Sequence, residues 1–207
     1  MQGKTHIAVG TALSVALMRP GTLPVLAAGI AVSAVGSILC DIDAGPSGSR
    51  NGAVSAGAVI LILLSCLFLM DSLLQLNLLS ALTAGIRSSS AVLALPAFIL
   101  FCCVGILSGH RAFTHSFLAL GIYSACIYFL LPGYIFFFVT GYASHLFLDS
   151  LNFRGIMLLY PVKTRYSMKL CRSDGIVNSV LFAAGVIALV ILVYESEGVR
   201  ALILTQV

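Results

Sequence analysis

Charge is what this sequence has least of. Only 9% of its 207 residues are Asp, Glu, Lys or Arg, and the acidic ones number seven. Ordinary soluble domains are about a quarter charged, so a soluble globular class is excluded. No CxxC spacing occurs. Cys40, Cys66, Cys102, Cys103, Cys126 and Cys171 mostly sit inside apolar runs and read as buried thiols, not as a disulfide framework. No GxSxG elbow occurs either, which leaves a serine hydrolase built on Ser116 or Ser144 with slight support. No internal repeat is visible, and that weakens a transporter made of repeated halves.

What is present is apolar length. Hydrophobic residues make up 60% of the chain, and the mean hydropathy is +1.10. A spanning helix needs about 20 apolar residues, and several runs approach that. The pattern predicts an all-α, polytopic transmembrane helical bundle of about seven spans in one integral membrane domain, 1–207. The spans fall at 4–18, 23–40, 53–71, 90–108, 116–131, 133–149 and 176–194. The opening segment has a signal-peptide look, but its charged lead is a single lysine, so it reads as the first helix. Pro20, Gly21 and Pro24 break the first hairpin, and Pro132-Gly133 makes a tight return. Residues 72–89 read as an interfacial helix and loop.

The basic residues set the orientation. With the N-terminus cytoplasmic, Lys4, Arg50, Arg111, Arg154, Lys163, Arg165, Lys169 and Arg172 fall inside, against Arg19, Arg87 and Arg200 outside. The net charge of +4 then points to anionic lipid, with no nucleic-acid partner. The same topology gathers His6, Asp41, Asp43, His110, His115, His145 and Asp149 at the cytoplasmic helix ends. Ionisable groups in a membrane protein are costly and mark sites or pathways.

Each member has a local logic. His145 and Asp149, four apart, share one helix face. His110 and His115 are five apart and follow Gly109, so a break would put His110 in a turn and His115 in the first turn of the next helix. Asp41-Ile-Asp43 ends an apolar span and opens a Gly/Pro loop. His6 lies in the first helical turn. Seven imidazoles and carboxylates exceed what one tetrahedral zinc needs. They suit one or two divalent ions, zinc first and manganese second, with Asp43, Asp149 or His115 left for catalysis. The basic loop 151–175 surrounds Tyr160-Pro161 and would hold an anionic group; Arg111, Lys163 and Arg165 are its candidate phosphate binders.

Leu39-Cys-Asp41-Ile-Asp43, then Gly109-His-Arg-Ala-Phe-Thr-His-Ser116, then Gly141-Tyr-Ala-Ser-His145 with Asp149, resembles the LexA-regulated, membrane-bound metal-dependent hydrolases. The likeness covers about residues 3–175 and includes Leu158-Leu-Tyr-Pro161. Two departures stand out: Ala44-Gly45 replaces a frequent His-Pro, and Asp174 is the one acid near the end of the basic loop. The resemblance implies a bacterial inner-membrane location, metal dependence and hydrolysis. Together these expectations make the chain a hydrolase of a membrane lipid, at a phosphoester, on the cytoplasmic face. The alternative is a metal- or proton-coupled transporter using the same His/Asp set.

Overall fold

The structure, a computed structural model, describes residues 1–43, 89–173 and 175–204. The expected third span (53–71), the segment 72–88, Arg50, Cys66, Arg87 and Asp174 lie outside the described residues. Within them the fold is all-helical. In chain order come α1 (Gly3–Met18), α2 (Leu23–Leu39), α3 (Ser89–Leu107), α4 (Phe117–Leu130), α5 (Ile135–Ser150), α6 (Ile176–Glu195) and α7 (Glu197–Leu204). One isolated bridge, Asn152 with Cys171, supplies the β-type pairing among these residues.

The apolar runs become helices within two residues of the expected bounds, because Gly and Pro punctuate them as read. Arg19 closes α1 in the left-handed region at φ 44. Ser116 caps α4, accepting from the Ala119 N–H. Pro132 opens the turn Pro132–Tyr134 before α5. The helix α7 was not anticipated. Leu23–Asp43 and Ile176–Glu195 are long and apolar enough to cross a membrane; Val92–Leu107 and Phe117–Leu130 are shorter apolar helices. On α6 only Asn178 and Gly185 are buried, while Val180, Ile187, Val190 and Ile191 stand exposed. An apolar face of that extent is out of place in water and suits lipid.

The chain forms two compact units. The first comprises Met1–Ile38, Phe136–Gly155 and Tyr166–Val207; the second comprises Leu39–Ile135 and Ile156–Arg165. The expected basic loop is therefore divided between them.

In the first unit, small residues bring the helices together, as they do wherever lipid offers no hydrophobic drive between helices. A Cβ on Gly36 of α2 would meet the Phe138 carbonyl oxygen of α5 at 2.5 Å, and one on Gly185 of α6 would meet the Ala8 carbonyl carbon of α1 at 2.9 Å. Ser33 Oγ donates to the Gly10 carbonyl of α1 at 3.1 Å, and Ser37 Oγ donates to the Ser33 carbonyl at 2.8 Å. Asn178 of α6, itself buried, accepts from Thr5 Oγ at 3.0 Å and from the Gln2 N–H at 3.2 Å. It thereby satisfies one of the amides that α1 leaves open at its start.

In the second unit α3 packs on α4. Gly105 gives room to the Thr114 methyl, 2.8 Å from where a Cβ would sit, and Tyr123 Oη donates to the Phe101 carbonyl at 2.8 Å.

Gly36→Val would drive α2 from α5 by adding bulk against backbone, the least yielding neighbour. A loss of about 1–3 kcal/mol is expected, read as a lower unfolding midpoint in detergent. A valine variant as stable as wild type would remove the close approach.

Candidate metal-binding site

Three of the seven expected ligands lie in the first unit and four in the second, and each set is described within its own unit.

His6, His145 and Asp149 form the first. α1 carries His6 in its opening turn, held there by the Thr5–Asn178 bond. α5 carries His145 and Asp149 one turn apart, as their spacing requires. Both rings are fully buried and Asp149 is 1% exposed. The imidazoles stack with centroids 3.7 Å apart. One ligand atom from each of the three residues lies within 4.8 Å of the others. His6 Nε2 is 3.3 Å from Asp149 Oδ1, and His145 Nε2 is 3.9 Å from Asp149 Oδ2.

Two features set the protonation. His145 Nδ1 lies 2.6 Å from the Ser37 carbonyl, which can only accept, so Nδ1 carries a proton and Nε2 is the nitrogen turned toward Asp149. Such a carbonyl is the ordinary partner behind a metal-binding histidine. His6 is different: neither of its ring nitrogens has a hydrogen-bond partner. A buried polar group in that state demands a reason. The Met1 amino group also donates to Asp149 Oδ1.

Asp41, Asp43, His110 and His115 form the second group. Asp43 is buried and collects four donors: His110 Nδ1 at 2.9 Å, the Arg111 N–H at 3.0 Å, Thr114 Oγ, and His115 Nδ1 at 3.3 Å. A carboxylate offers about four lone-pair sites, so Asp43 is saturated. Both imidazoles turn Nδ1 toward Asp43, and His115 Nδ1 is also 3.1 Å from Thr114 Oγ. His115 Nε2 is 3.8 Å from Asp41 Oδ1. His110 is nearly half exposed at its side chain, whereas His115 is buried.

The break after Gly109 puts His110 in a turn, as expected. His115 lies in the short 3-10 turn Phe113–His115 instead of the first turn of α4, because the cap Ser116 starts that helix one residue later. Thr114, overlooked in the sequence, bonds Asp43 from inside the HRxFTHS stretch. Asn178 was overlooked too; a lone amide at the start of an apolar run was its one signal.

The other expected positions separate. Arg111 is buried with φ 63, and its carbonyl accepts from the Met157 N–H at 3.2 Å. Lys163 and Arg165 are exposed. Ser116 Oγ is engaged as a cap and donates to the Phe113 carbonyl at 2.6 Å; Ser144 Oγ donates to the Gly141 carbonyl at 2.7 Å. Neither hydroxyl is bonded to a histidine there, as a nucleophile would be. Among the described residues Cys40, Cys102, Cys103, Cys126 and Cys171 form no disulfide, and burial pushes the Cys171 thiol up.

Fold and site define an all-helical protein with lipid-suited helices and buried imidazole–carboxylate groups able to take a divalent ion. The chain belongs to the YdjM inner membrane protein family, whose model matches residues 1–205. No curated protein and no solved structure matches it.

Asp43→Ala would leave four donors without their acceptor. A loss on the order of 3 kcal/mol is expected from a buried charged acceptor, measured as unfolding in detergent. Asp41→Ala, at a part-exposed carboxylate, is expected to cost under about 1 kcal/mol. Equal costs would show that Asp43 is no hub.

Proposed function

We propose that the protein is a metal-dependent hydrolase of the inner membrane, acting on a lipid phosphoester, with its ion held by His6, His145 and Asp149. The observation that carries this reading is His6, buried, stacked on a second imidazole and bonded through neither nitrogen. An ion would take up one of those two nitrogens, with His145 and Asp149 supplying its other protein ligands. Two nitrogens and an oxygen, with a position left for water, suit zinc first and manganese second. A bound divalent ion supplies Lewis acidity that brings the pKa of water toward about 7.

The chain's own residues do the rest. The Ser37 carbonyl fixes the His145 tautomer, and the Asn178 anchor fixes the turn that bears His6. Asp149 lies at the edge of both rings, beside each Nε2, and would balance part of the ion's charge. In the other unit Asp43 acts as scaffold, not as base: its lone pairs are already taken. It orients His110 and His115 through their Nδ1 atoms. The multi-pass topology with a cytoplasmic N-terminus, and the choice of a lipid substrate, complete the proposal on the charge bias of the sequence.

Elemental analysis of the purified protein beside His6→Ala/His145→Ala tests it. At least one zinc or manganese per chain is expected, lost in the variant. Hydrolysis of phospholipid vesicles should fall by more than about 100-fold, beyond what second-sphere changes produce. Absence of stoichiometric metal after reloading would sink the proposal. Metal binding with ion flux in liposomes and no turnover would favour the transporter.

A further inference from the structure

The carboxyl end of α5 opens on a cavity of about 600 Å³ lined by Asn152, Phe153, Arg154, Arg172 and Ser173. Its described lining carries two cations and no acid. We propose that it binds the phosphate of an anionic phospholipid head group, with Arg154 and Arg172 as the paired cations. The proposal concerns binding alone and stands whether or not the His/Asp group holds a metal.

The cavity is built, not incidental. The segments 150–155 and 166–173 are stitched by the Met168 N–H to the Ser150 carbonyl at 2.8 Å, and by the Leu170 N–H to the Leu151 carbonyl at 2.9 Å. The Cys171 N–H also reaches the Leu151 carbonyl, at 3.2 Å. Asn152 is buried beneath, its amide donating to Ser173 Oγ and its carbonyl accepting from Ser167 Oγ at 2.5 Å. These bonds hold the two arginine-bearing segments side by side before any ligand arrives, which lowers the ordering cost of binding. Guanidinium pairs match phosphate oxygens bidentately.

Depth identifies the occupant. α6 starts at Ile176, and its 20 residues rise about 30 Å, the thickness of the hydrocarbon layer. Arg172 precedes it by four residues, in a turn closed by the Gly175 N–H on the Arg172 carbonyl at 3.2 Å. That places the cavity at head-group level. The same segments expose Phe153 at 54%, Met168 at 56% and Leu170 at 68%. Apolar side chains turned outward beside arginines are costly in water and natural where acyl chains meet phosphates. A free phosphate would use the arginines and leave those side chains without a partner, so the lipid is favoured.

The test is titration of the intact protein in mild detergent with phosphatidylglycerol, followed by native mass spectrometry. Arg154→Gln/Arg172→Gln is expected to weaken binding by tenfold or more, since each charge-assisted bond is worth about that factor. Arg154→Lys/Arg172→Lys keeps the charge without the planar fork and should fall in between. Arg19→Gln/Arg200→Gln removes the same charge from exposed positions elsewhere in this unit and should bind within twofold of wild type. Millimolar inorganic phosphate should leave the lipid in place. Undiminished binding by the glutamine pair would overturn the site. So would equal loss in the Arg19/Arg200 variant, which would make the attraction a matter of net charge. Displacement by inorganic phosphate at lipid-like concentrations would make it a soluble-anion site and overturn the lipid assignment.

Discussion

A fully buried imidazole that makes no hydrogen bond is the constraint to which the first unit is organised. Removing a polar group from water without compensation costs about 1–3 kcal/mol in a protein. His6 bears that cost at Nδ1, while its Nε2 has the Asp149 carboxylate oxygen 3.3 Å away without a hydrogen bond. α1 is pinned at its start by Asn178 and lies against α6 at Gly185. The ring itself is covered by His145. A local arrangement this costly persists when the surrounding structure over-determines it, and such arrangements gather at functional sites.

The second group shows what the same residue types look like when they are satisfied. Asp43 accepts four hydrogen bonds, and both neighbouring imidazoles turn Nδ1 toward it. A buried network with every member paired rigidifies its surroundings. Residue identity alone would rank Asp43 and Asp149 as equal ligands. Their partners divide them: Asp43 accepts from four groups of its own unit, while Asp149 meets the Met1 amino group and lies beside two imidazoles.

This division also marks the limit of what the sequence made legible. Helix positions were legible, because apolar runs bounded by Gly, Pro and Ser leave few alternatives. The His145–Asp149 face was legible, because helical periodicity alone brings i and i+4 together. Asp43 as a hub was not, since its donors lie 67 to 72 residues away along the chain and no local rule predicts such a meeting. Thr114 sat inside a stretch already singled out, yet a threonine between histidines has too many ordinary roles to be read. The basic loop was recognised as cationic, but five basic residues in 25 gave no reason to pair Arg154 with Arg172. That pairing depends on the backbone bonds at Leu151 and Asn152.

The buried triad and the arginine cavity share a physical connection within one unit. Asp149 ends the ligand pair on α5, and its carbonyl accepts from the Asn152 N–H at 3.2 Å. Asn152 in turn donates to Ser173 at the cavity. One short turn therefore passes from a buried carboxylate beside two imidazoles to the arginine-bearing cavity. Charge is cheap at head-group depth and costly within the helices. A protein that brings lipid phosphate to a metal must place a cationic seat at the boundary and keep its ligands just inside it. On the proposed lipid-phosphoester reading the α5 terminus would supply both with the same few residues, so that reading would need no distant second element to deliver the substrate.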